Sequence, residues 1–161
     1  MTLLSMGQAE WTWFPLPLKD RDPADPVPEL LIRRVPSGKL NELSYRHFGK
    51  KQRVLYKKGG AIQDHNAEQV VAFGLAKAAF ALLESKNAEV QADGESAPEL
   101  SKLLGFPVEP GQRVVLDGNW GRAGFGAYVL ELVPGLAAFV NRSADSLAKI
   151  EREDEDELGE I

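Results

Sequence analysis

The 161-residue sequence predicts a single α+β domain, with a small antiparallel sheet, about three main helices and a disordered acidic C-terminal tail. Three observations carry that fold class. "EWTWFPLPL" (10–18) is aromatic and partly alternating, and "ELLIRRV" (29–35) lies close enough behind it to pair back as a hairpin. The stretch 64–87 keeps apolar residues at helical spacing for far longer than a strand would. Between 151 and 160 stand Glu151, Glu153, Asp154, Glu155, Asp156, Glu157 and Glu160 against Arg152 alone, a run too charged to pack. The chain divides into an extended proline-rich arm or edge strand (1–28), a globular α+β domain (29–150) and an acidic tail (151–161).

Each element follows from local chemistry. Pro15 and Pro17 cannot donate to a ladder, so 10–18 belongs at a sheet edge or in an arm. "KDRDPADPVP" (19–28) is a stiff polar loop, because its three prolines fix φ and push their predecessors toward extended shapes. A short helix then begins with Ser37 as N-cap, carries Leu40, Leu43 and His47 on one face, and stops at Gly49. "KKQRVLYKKGG" (50–60) reads as an exposed hairpin or loop. The central helix over 64–87 opens with Asn66 three residues before Gln69, the capping-box spacing. Val71, Leu75, Ala78 and Leu82 form one stripe on it, and Phe73, Ala76, Phe80 and Leu83 the next. Gly74 inside this helix suggests a close approach, since glycine there is about 1 kcal/mol worse than alanine. Residues 87–113 read as loop with one helical turn at 99–104, and "VVLD" (114–117) as a brief strand. Two helices, 127–133 and 134–154, complete the domain, with Pro134 in the first turn of the second.

Composition narrows the function. With 43% hydrophobic and 27% charged residues the chain is an ordinary globular one, and a net charge of −5 argues against a general polyanion binder. Cysteine is absent, which removes disulfides, thiolate nucleophiles and cysteine metal sites at once. The first residues lack the basic and apolar regions of a secretory signal, and no apolar run is long enough for a bilayer, so a cytoplasmic protein is expected.

Motifs for chemistry fall short of their requirements. Gly118, Gly121, Gly124 and Gly126 lie where a phosphate loop would. A Walker loop counted from Gly121 reaches Gly126, but Ala127 and Tyr128 stand where lysine and a hydroxyl are needed. A dinucleotide fingerprint counted from Gly124 meets Val129 instead of its third glycine. His47 and His65 are eighteen residues apart and lack further ligands at zinc spacing. Asp20, Asp22 and Asp25 begin like a calcium loop, but Asp25 and Leu31 occupy the positions that need glycine and glutamate. No nucleophile elbow is present, and no pair of acids is singled out. The expectation is a non-enzyme with no metal and no cofactor.

Charge is more informative. Arg33, Arg34, Lys39, Arg46, Lys50, Lys51, Arg53, Lys57 and Lys58 face a single acid, Glu42, over residues 33–58, with Tyr45 and Tyr56 interleaved. The strongest part of this patch, Arg33, Arg34, Lys50, Lys51, Arg53, Lys57 and Lys58, is a solvated face, a dock for an acidic partner or tail, or a nucleic-acid contact that makes the protein a nucleic-acid-binding accessory.

The order of features resembles a known family. "LIRRVPSGKLNEL", the basic "YRHFGKK", the helix "VVAFGLAKAAFALLE", "VVLDGNWG" and "VLELVPGLAAFVNRSADSLAKIEREDEDE" together resemble the tail assembly chaperones of long-tailed bacteriophages, over roughly residues 29–156. That resemblance implies a non-enzymatic role in virion morphogenesis in the host cytoplasm: coating a long helical tape measure protein and recruiting tail tube subunits. It implies an apolar groove for amphipathic helices, for which Phe73, Phe80, Trp120 and Phe139 are the candidate lining. It leaves homo-oligomerisation open.

Overall fold

The structure, a computed structural model, describes residues 11–18, 22–49 and 67–159, with side-chain environments as far as 148. Expectations for Lys50, Lys51, Arg53, Lys57, Lys58, His65 and Asn66 lie outside the described residues. The fold is α+β, with five helices and two antiparallel sheets among the described residues where the sequence predicts about three main helices and one small sheet.

The hairpin forms as its sequence requires. Strand β1 (Trp11–Pro15) pairs antiparallel with β2 (Glu29–Arg33), placing Phe14 opposite Leu30 and Trp13 opposite Leu31. Leu30 and Ile32 are wholly buried on the inner face, and Phe14 packs against the same core. Period-two alternation sends Trp11, Trp13 and Leu31 to the opposite face. Helix α1 (Ser37–Phe48) follows, with Leu43 buried. Its N-cap is Pro36 rather than Ser37, and no side chain caps it. Gly49, at φ +65°, ends it by donating its N–H to the Tyr45 carbonyl.

The expected central helix is cut short. Helix α2 runs Ala67–Ala81, and the chain passes directly into strand β3 (Leu82–Lys86), which pairs with β2. Ile32 faces Leu82 and Leu31 faces Glu84, so Leu83 is an inserted bulge residue. Apolar residues over 82–83 suit a helix stripe and a buried strand equally well. The open edge of β2 decides for the strand, because its backbone groups need partners. Arg33 closes the helix end: its Nε donates to the Phe80 carbonyl at 2.7 Å, and its guanidinium lies 3.7 Å from the centre of the Phe80 ring. Val71, assigned to a core stripe, is in fact 61% exposed, whereas Ala78 and Ala81 are buried. Gly74 is not tightly packed. A β-carbon there would lie 3.8 Å from Asn141, an ordinary contact, and the Asn141 amide donates to the Gly74 carbonyl.

Strand β4 (Glu89–Gln91) pairs with β5 (Arg113–Val115) as a separate two-stranded ribbon. Between them lies helix α3 (Ser96–Leu104), longer than the expected single turn. Its start is fixed by Asp93, whose Oδ1 accepts from the Glu95 and Ser96 backbone N–H groups, while the Ser96 hydroxyl accepts from the Asp93 N–H. Gly105, at φ +79°, closes its far end in the left-handed conformation.

Helices α4 (Phe125–Leu132) and α5 (Leu136–Gly159) end the chain, with Pro134 in the turn before α5 rather than in its first turn. Helix α5 continues through 151–159, the stretch expected to be unstructured. Leu136, Val140, Ala144 and Leu147 are its buried stripe, and α5 packs on α2 and β2. Lys77 of α2 reaches Asp145 of α5 at 2.8 Å across that contact.

Candidate interaction surface

The four aromatic residues expected to line a groove stand in separate settings. Trp120 is core: its Nε1 donates to the Ser85 hydroxyl at 2.8 Å, and its ring meets Phe125 edge-on at 5.7 Å. Phe73 packs with Phe48 and His47 between α1 and α2. Phe80 lies beneath Arg33, with Lys39 at 5.2 Å. Phe139 is half-buried against the core from α5. Of the basic patch, Arg33 is bound to Phe80, where burial lowers its pKa from the ordinary value, and Arg34 also has a partner.

The glycine stretch is built into the domain by side chains. Asp117 accepts from the Ser85 hydroxyl and from the N–H groups of Asn87 and Ala88, while Glu84 accepts from the Gly118 N–H. Gly118 and Gly124 both take positive φ, and Gly126 lies against Trp120. These bonds tie "DGNW" to the end of β3. Among the calcium-loop candidates, Asp22 accepts from the Ala24 N–H and so holds a turn. No cluster of three or more metal-ligating side chains occurs among the described residues, and no helix of them is long and apolar enough to cross a membrane.

The described residues also form an open groove that no sequence motif marks. It opens where the hairpin leaves the sheet, with a volume of about 420 Å³. One wall is the proline-rich connection, giving Leu18, Asp25, Pro26 and Pro28. The outer face of the β4–β5 ribbon gives Glu89, Arg113 and Val115, and Asn87, Ala88 and Asp117 complete the lining. The ribbon faces outward here because Val90 and Val114 take the inner positions of its alternation, Val114 being buried. Leu18 and Val115 are each 54% exposed, and Val27 beside them is also exposed. Glu89 and Arg113 pair across the ribbon at 3.4 Å in solvent, a link worth at most about 1 kcal/mol that a ligand opens readily. Three segments distant in sequence build this groove, so no local motif announces it.

A second exposed surface lies on the three-stranded sheet. Trp11 is 51% exposed on the outer sheet face, and Lys86 lies 3.9 Å from the centre of the Trp13 ring beside it. No family model, curated protein or solved structure matches this chain.

Proposed function

We propose that this protein is a non-enzymatic assembly chaperone of the kind that serves long-tailed bacteriophages, holding a long helical tape measure-like protein and tail tube subunits before they assemble. The observation that carries the reading is the open groove, with exposed Leu18 and Val115 both in its lining. Exposed apolar side chains lining one cleft offer a seat for the apolar stripe of an amphipathic segment. The flanking charges Asp25, Glu89 and Arg113 supply a polar rim of the kind that surrounds such seats. The order of sequence features set out above supports the same reading.

The test is co-purification of the full chain with a helix-rich tape measure protein, using Leu18→Lys and Val115→Lys singly and together. Both side chains already face solvent, so the variants are expected to fold normally and the double variant to lose the partner. Undiminished capture by a folded double variant would overturn the groove assignment.

A further inference from the structure

We propose that the outer edge of β1 is a self-association site, joining two copies of this chain in an antiparallel pair centred on Thr12. The backbone directions fix which groups are free. The Leu16 N–H donates to the Pro28 carbonyl, in register with the β1–β2 pairing, so positions 12 and 14 exchange backbone bonds with Ile32 and Leu30 of β2, while Leu16 only donates because Pro28 has no N–H. Positions 11, 13 and 15 therefore turn their backbone groups to the open side, where none of the described residues pairs with them. Pro15 has no N–H to offer, so the usable edge is Trp11 and Trp13.

A two-fold axis at Thr12 matches that restriction. It sets Trp11 opposite the partner's Trp13 and Trp13 opposite the partner's Trp11, each pair exchanging two backbone bonds and none requiring Pro15. Centring on Trp13 instead would set Trp11 against the partner's Pro15 and leave a carbonyl without its donor. On the outer face the Thr12-centred register stacks two cross-strand tryptophan pairs, covering rings that include the half-exposed Trp11. The edge meets the charge condition for pairing with a second copy. An isologous contact brings each group near its own equivalent, so charged edges repel themselves, and residues 11–18 carry no charge at all. The lysines that commonly protect an edge strand are missing from this one.

The experiment reads self-association of the purified full chain alone, so its outcome is separable from capture of any partner protein. Sedimentation equilibrium and tryptophan emission are measured over a wide concentration range for the wild type, Trp11→Phe and Trp11→Lys, with circular dichroism confirming that each folds. The expected result is a wild-type dimer whose emission shifts to the blue with concentration. Trp11→Phe is expected to keep the dimer, and Trp11→Lys to weaken it at least tenfold. A chain that stays monomeric to millimolar concentration would overturn the proposal, and so would a dimer indifferent to Trp11→Lys.

Discussion

Ser85 shows how much one small side chain holds in this molecule. It is buried at the end of β3, accepts from the Trp120 indole and donates to the Asp117 carboxylate at 2.5 Å. Asp117 in turn receives the N–H groups of Asn87 and Ala88, so one hydroxyl connects the sheet, the ribbon and the "DGNW" turn. Replacing Ser85 with alanine removes no apolar area but leaves the indole N–H without its acceptor in the core. The expected loss is about 1–3 kcal/mol, the usual cost of an unsatisfied buried polar group, read as a lower urea midpoint with an unchanged slope. Trp120→Phe in the Ser85→Ala background is expected to cost less than it does alone, because the stranded donor goes with it. Additive losses would show that the two residues act separately. The sequence offers Trp120 as a candidate groove residue, and it is the arrival of Ser85 from 35 residues away that holds it in the core.

At the scale of elements, helix α3 depends on a cap that is visible in the sequence once its form is known. Asp93 and Ser96 stand three residues apart and exchange hydrogen bonds reciprocally, a variant of the capping box with serine in the position usually held by glutamate. The backbone N–H and hydroxyl of Ser96 hold the Asp93 carboxyl below its ordinary pKa. A carboxylate depressed in the folded state stabilises that state above its unfolded value, and the contribution fades as pH falls through the lower folded value. Asp93→Asn is therefore expected to be less stable than wild type at neutral pH. The gap in urea midpoints should close below about pH 4, the ordinary aspartate range. A gap constant into acid would mean that shape rather than charge makes the cap.

The same scale explains what was legible. The β1–β2 hairpin followed from aromatic alternation, proline placement and proximity, all local signals. Helix α1 and its stop at Gly49 did as well. The α2–β3 junction did not, because Leu82 and Leu83 satisfy either period and the choice rests on β2, fifty residues earlier. The groove was illegible for a related reason: its walls come from the 18–28 connection and the β4–β5 ribbon, and β4 is only three residues long.

Across the whole molecule, charge and stability are carried by different parts. Among the residues whose side-chain environments are described, as far as 148, Leu147 is the last buried on α5. Residues 151–161 contain seven acids and Arg152, so deleting them takes the formal net charge from −5 to +1. The remaining chain would be nearly neutral overall. A molecule near zero net charge loses the self-repulsion that keeps copies apart in solution. Deletion of 151–161 is therefore expected to leave the thermal midpoint within about 2 °C of the full chain, the shift given by well under 1 kcal/mol in a domain of this size. It is also expected to lower solubility near neutral pH at low salt. Calorimetry and a precipitation curve separate the two effects. A large drop in midpoint would mean that the end of α5 contributes to the packed domain, and unchanged solubility would mean that the acidic run acts on something other than the molecule's own dispersion.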